Sequence, residues 1–249
     1  MSQPHTLGNV YGMPITELSR LREKATPDRA ELDRLLDEAF LAHVGLADDT
    51  GHVVVIPTGL ARDGDSILIH GSTGSGWMRR LAAGAPACVT VTDLTGIVVA
   101  RSSFESSFRY RSAVLFGAFS RLAKLDLARA LDLLTEHFLP GRTAEIRRPT
   151  NRELAATMVL RMPIARWSLK ISEGWPEDDE ADLDGDAWAG VIPLRPWTAG
   201  DPLPAPDLRA GIAVPASVRA RTQVVVPGDR RGVGQRGDLV DNDAAALGV

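Results

Sequence analysis

The chain has 249 residues with 28 basic and 32 acidic side chains, a net charge of -4 and a mean hydropathy of -0.04, ordinary values for a globular protein with length for one large or two small domains. No apolar run approaches the roughly 18 residues of a membrane-spanning helix, and the opening MSQPHTLGNVYG lacks a basic start followed by a hydrophobic stretch, so neither membrane spanning nor secretion is expected and the expected compartment is the cytoplasm. A single cysteine, Cys88, excludes an internal disulfide and a multi-thiolate metal centre, and the acidic balance gives no pull towards nucleic acid.

In chain order, residues 1–19 read as a loosely held arm. Thr26 and Pro27 suit a helix start, Asp28 and Glu31 stand in capping-box spacing, and Leu32, Leu35, Leu36, Ala39, Phe40 and His43 recur at helical intervals, which predicts one amphipathic helix ending near Gly45. Short β-rich runs follow: 52–57, 66–70, 87–92, 96–101 and 112–120, with a helix over 77–83 between the second and third. Five strands in so short a span predict a small antiparallel barrel or sandwich. Leu127, Leu131, Leu134 and Phe138 mark another amphipathic helix, and Thr150 with Glu153 a second capping box before a short one. Strand-like stretches over 158–171 break at Pro163, and 187–194 reads as a last strand or extended arm. From 197 to 249 a Pro/Gly/Arg-rich tail is expected, without order.

The most informative stretch is Ile69 to Arg80, IHGSTGSGWMRR. A strand that runs through Gly71, Ser72, Gly74, Ser75 and Gly76 into a helix presents free N–H groups, hydroxyls and a positive helix end, with Arg79 and Arg80 in the first turns, and this suits a phosphate. A flexible Gly/Ser turn with its arginines in solvent accounts for the same residues. Trp77 and Met78 stand where a triphosphate loop needs Lys and Ser/Thr, and the glycine spacing does not fit a dinucleotide fingerprint. A nucleoside triphosphatase and a Rossmann domain are therefore both disfavoured.

The segments IPTGLARDGDSILIHGSTGS, RRLAAGAPACVTVT, ARSSF, YRSAVLFG and WAGVIPL, in that order, resemble the flavin-nucleotide-binding and nitroimidazole-resistance branch of the pyridoxamine 5'-phosphate oxidase-like split-barrel proteins, over residues 20–196. The resemblance implies a mainly β fold, a split β-barrel with flanking helices, acting as a homodimer with FMN at the subunit interface. It implies that Ile56, Pro57 and Thr58 line the flavin ring, that His70, Gly71, Ser72 and Ser75 bracket the ribityl and phosphate with Arg79 and Arg80 near, that Arg111 and Ser112 approach from an adjacent strand, and that Trp188 reaches the neighbouring subunit's site.

Two positions depart from the family pattern. Gly76 replaces the arginine or lysine that relatives place after the serine, and FESSFRY (104–110) replaces a histidine-rich segment. His70 suits a flavin donor, an acid or base near neutral pH, a haem ligand or a hydrogen-bonded wall residue; His70 and Tyr110 are the candidate catalytic side chains. His43, on the apolar face of the first helix, reads as a satisfied interior group, and Cys88 as buried filler. No metal-ligand spacing is present: the acidic run 177–186 places Val191 where a calcium loop needs its glutamate. The function expected is an FMN-dependent oxidoreductase acting on a small molecule, with a reduced nicotinamide or an amine-like substrate as the hydride source. The alternatives are the same fold with haem or a deazaflavin, and a flavin carrier or sensor without turnover.

Overall fold

A computed structural model describes residues 25–48, 50–194 and 200–222. The arm 1–19 and the tail beyond 222 lie outside the described residues.

The first helix is shorter than its periodicity predicts. α1 (Arg29–Glu38) begins at Asp28, whose carboxylate accepts from the N–H groups of Ala30 and Glu31, and buries Leu32, Leu35 and Leu36, each worth about 1.5–3 kcal/mol relative to exposure. Instead of continuing to Gly45, the chain turns extended at Ala39 and forms β1 (Leu41–Ala47). In LAHVGLA, Ala42, Val44 and Leu46 alternate with outward residues, and ladders to β2 (Val53–Asp63) and β4 (Pro86–Val99) satisfy both backbone edges. That pairing overrides the helical spacing of Ala39, Phe40 and His43.

β3 (Ser66–Ser72) follows β2 across a tight turn at Gly64, whose φ of 59 needs a glycine. α2 (Gly76–Ala82) sends Met78 and Leu81 into the core. The runs 87–92 and 96–101 join into β4, which bulges between Leu94 and Gly96. Gly96 is where β9 (Gly190–Pro193) crosses: a β-carbon there would stand 3.2 Å from Val191 and 3.3 Å from the Ile192 carbonyl. β5 (Ser107–Ala118) and β6 (Ser120–Arg121) lead to α3 (Leu127–Phe138), α4 (Asn151–Ala156), β7 (Thr157–Pro163) and β8 (Arg166–Ser172). The second capping box forms as its spacing predicts, with Thr150 and Glu153 each satisfying the other's N–H.

The antiparallel sheet runs β6-β7-β3-β2-β1-β4-β5-β8, with β9 beside β4, a mainly β, split-barrel architecture. Its interior holds the larger core, where α1 and α2 pack on Val44, Leu60, Ile67, Ile69, Val89, Leu115, Leu160 and Met162. On the opposite face of β2, β3 and β7 a second cluster joins Ala61, Leu68 and Val159 to Leu127, Ala130 and Leu134 of α3. Within the stretch read as a tail, residues Ala216–Thr222 form a helix, α5.

Candidate cofactor-binding site

The split follows from the register of β2. Residues 53–59 pair with β1, ending at Leu41 opposite Gly59, while the pairing with β3 starts only at Leu60 opposite Ile69. β2 therefore passes from one half of the barrel to the other between Gly59 and Leu60. Upstream of that point, among the described residues, the second backbone edge of Ile56, Pro57 and Thr58 has no sheet partner, and neither does the β2-facing edge of His70, Gly71 and Ser72, which pair with β7. Both strands present main-chain donors and acceptors to the same opening, and such groups need a partner if covered. Six of the residues that the family pattern assigns to a flavin and its tail, Ile56–Thr58 and His70–Ser72, flank this opening.

At its end lies the glycine loop. Thr73 donates its N–H and hydroxyl to the Ala156 carbonyl at 3.0 and 3.2 Å, and Ser75 N–H bonds the Ser72 carbonyl at 3.0 Å. The Ser72 hydroxyl accepts from Gly74 N–H at 3.1 Å. The turn thus consumes most of its own donors. Ser75 makes no side-chain cap bond, which leaves its hydroxyl and the first-turn N–H groups of α2 as the donors available to an anion. The glycines differ in purpose. A β-carbon on Gly71 would meet Met78 at 3.1 Å, so this glycine lets α2 pack against β3; around Gly76 nothing lies within 4 Å.

The two arginines part ways. Arg80 donates from Nε to the Ala47 carbonyl, tying α2 to β1. Arg79, on α2, is exposed and makes no side-chain hydrogen bond or ion pair among the described residues.

His70 projects to the face that α3 covers, the same face as Leu68 and, across the ladder, Val159. Its ring keeps an open edge to solvent, yet the protein packed around it disfavours the imidazolium and holds the pKa below the usual histidine value. It has no hydrogen-bond or salt-bridge partner among the described residues. A neutral imidazole with an uncommitted lone pair is what a metal-centred cofactor requires.

The remaining expected residues stand elsewhere in the protomer. β5 is not adjacent to β3: β2, β1 and β4 intervene. Arg111 is bound to Asp93 at 2.5 Å and Glu38 at 2.6 Å; burial opposes its charge, and these two hydrogen bonds outweigh that and raise its pKa. Ser112 approaches Thr92 at 3.3 Å, the Tyr110 ring lies 5.9 Å from the Lys170 ammonium, and Trp188 is exposed beyond the acidic run. Ser106, in the segment that departs from the family's histidines, ties the β4–β5 turn, accepting from Ala100 N–H at 3.1 Å and donating to the Ser102 carbonyl at 2.9 Å.

The reading of His43 as a satisfied interior group is corrected: placed on β1 rather than on a helix, it is exposed beside Pro57 on one side and Thr90 on the other, and the alternation within LAHVGLA is the signal for this. Cys88 is part-buried on the outward face of β4 rather than in the core, and burial pushes its thiol up, which disfavours a nucleophile. Among the described residues no cluster suits a metal ion, and no helix is long and apolar enough to cross a membrane.

The family model for pyridoxamine 5'-phosphate oxidase matches residues 28–171. The chain belongs to this family. Among solved structures, it is 55% identical to the FAD- and haem-binding protein of Mycobacterium smegmatis, with a TM-score of 0.77 over 80% of this chain and 97% of that one. The flavocytochrome Anf3 of Azotobacter vinelandii is 31% identical, with a TM-score of 0.78 over 83% and 95% of the two chains. A candidate 5-nitroimidazole antibiotic resistance protein of Bacteroides thetaiotaomicron, 19% identical with a TM-score of 0.52 over 59% and 86%, shares the fold. No curated protein matches the chain.

Proposed function

We propose that the protein is a flavin-dependent oxidoreductase that works as a homodimer on a small molecule, with a flavin nucleotide in the split and a haem iron on His70. The observation that carries this reading is the pairing break in β2, which opens unpartnered backbone edges on Ile56–Thr58 and His70–Ser72 beside one uncommitted imidazole. The likeness to an FAD- and haem-binding protein over nearly all of that chain supports it. Bound there, a flavin supplies hydride and single-electron transfer and a haem iron supplies one-electron exchange.

The chain's own residues do the rest. The β2 and β3 edges offer directional hydrogen bonds to a flat polar ring system, Ser75 and the first turn of α2 offer donors to a phosphate, and Arg79 offers charge without leaving another partner. The protein around the His70 ring disfavours its protonated form, which keeps a ring lone pair available to a metal. A β-carbon at Gly76 would meet nothing within 4 Å, so no side chain crowds the start of α2, and the 55% identical relative binds FAD. That favours FAD over the FMN of the sequence reading.

A second copy of the chain accounts for two further features. The outer face of β2, β1, β4 and β5 presents Val53 and Val55, 74% and 60% exposed, alongside Gly45, Cys88, Val114 and Phe116, an apolar surface of the kind that subunit contacts cover. Tyr110, Arg111, Ser112 and Trp188 are separated from the split of their own protomer, so a partner is the route by which they reach one.

Titrating the full chain with FMN and FAD, followed by flavin fluorescence, tests the reading. Binding of either at micromolar concentration is expected, FAD the tighter, and oxidation of NAD(P)H by the loaded protein distinguishes an enzyme from a carrier. A folded protein that binds neither flavin refutes the proposal.

A further inference from the structure

Helix α5 contributes no residue to the split, yet it ends a run of contacts that reaches its throat. Ser217, 4% exposed, donates its N–H to Glu145 Oε1 at 3.0 Å and its hydroxyl to Glu145 Oε2 at 2.5 Å, and Arg142 holds the same carboxylate at 3.2 Å. One turn further, the Arg221 guanidinium lies 4.2 Å from the centroid of Phe40. Phe40 meets His137 and Phe138 at centroid distances of 6.0 and 6.1 Å, and His137 is fixed by a 2.6 Å contact between Nε2 and the Ala39 carbonyl.

Phe138 completes the path. Its Cζ stands 2.7 Å from where a β-carbon on Gly59 would be, so the ring rests directly on the strand. Gly59 is the last residue of β2 paired with β1 before the strand turns to β3. His70 follows the first β2–β3 pair by one residue, and the alternation of both strands puts it on the face that Phe138 covers.

We propose that α5 is a positioning clamp: through Phe40 it holds the Phe138 ring on Gly59, walls the strand face that carries His70, and slows escape of the planar group bound there. A seven-residue helix has no independent stability in water, so α5 exists only while docked, and the order of Phe138 and of α5 rise and fall together. The statement about escape rests on the haem reading; the mechanical link between α5 and Gly59 stands without it.

Hydrogen–deuterium exchange of the full chain, with and without haemin, tests both. Losing the Ser217 hydroxyl bond and the Arg221 contact in the Ser217→Ala/Arg221→Ala double variant is expected to speed exchange over residues 57–61 and 136–141 about tenfold. Because coupling is reciprocal, Gly59→Ala, which drives Phe138 off the strand, is expected to speed exchange over 216–222 by a similar factor. Haemin transfer to excess apomyoglobin is expected to accelerate in both. Glu145→Ala removes the acceptor instead and replaces the double variant if that folds poorly. Unchanged exchange over 57–61 when 216–222 has been released overturns the clamp. Faster exchange with unchanged haemin loss overturns its control of escape, whereas faster exchange in a protein that binds no haemin upholds the link to Gly59 and refutes the haem reading alone.

Discussion

Replacing Gly76 by arginine probes the anion site where the structure leaves it least charged. A β-carbon at this position meets no heavy atom within 4 Å, and the backbone is not in the left-handed region, so the substitution costs nothing sterically. Arginine is favoured over glycine within a helix by about 0.8–1 kcal/mol, and a cation in the first turn opposes the helix dipole by about 0.3–1 kcal/mol; the two nearly cancel in the stability of α2. A charge-assisted hydrogen bond to a phosphate adds about 1.5–3 kcal/mol, from which ordering the side chain subtracts roughly 0.5–1.5 kcal/mol. The net of about 1–1.5 kcal/mol corresponds to roughly five- to twelvefold tighter flavin. FMN ends in a dianionic phosphate and gains more than FAD, whose phosphates are each singly charged. Fluorescence titration of wild type and Gly76→Arg with both flavins reads the difference directly. Unchanged or weaker FMN binding by a folded Gly76→Arg protein refutes the placement of the phosphate at the start of α2.

Three other outcomes follow from the same geometry. Gly71→Val forces its side chain into Met78, 3.1 Å from the β-carbon position, and overpacking of this kind costs about 1–3 kcal/mol, visible as a lower urea midpoint with unchanged slope. Val55→Glu places a charge on the exposed apolar face of β2, and light scattering after gel filtration is expected to give dimers for wild type and monomers for the variant, with flavin affinity falling in step. The third concerns pH. His70 has a folded pKa below its unfolded value near 6.5, so above that value both states are neutral and it contributes no slope. As pH falls from about 6.5 towards the folded value, the unfolded chain takes up protons that the fold resists, and stability is lost. The drop in melting temperature between pH of about 7.5 and about 5.5 is therefore expected to be smaller in His70→Gln than in wild type.

The fold was largely legible because most of its elements carry local signals. Thr150 with Glu153 and the Leu127 to Phe138 stripe are set by contacts within one helix turn, and the runs around Ile67, Val89 and Val114 by alternation over a few residues. The failure at residues 39–47 came from a non-local cause. Ala39, Phe40 and His43 satisfy a helical period, but β1 gains ladders on two sides only once β2 and β4 exist, and no spacing rule contains that. Misplacing the segment put His43 in the interior, where the strand exposes it. The glycine loop shows the same limit at the candidate site: composition makes Gly71, Gly74 and Gly76 look alike, while Gly71 answers to Met78 and Gly76 to nothing within reach. Arg79 and Arg80 are neighbours in sequence, yet Arg80 is drawn to Ala47. The importance of Gly59 and Phe138 was invisible, since their meeting joins segments far apart along the chain.

The most direct test of the account is the absorption spectrum of the full-length protein loaded with haemin and flavin, compared with that of His70→Ala. The account predicts a Soret band and flavin bands in wild type, with the Soret band lost or shifted to that of free haemin in His70→Ala while the flavin bands persist. An identical Soret band in the folded variant, or none in wild type under saturating haemin, would contradict it.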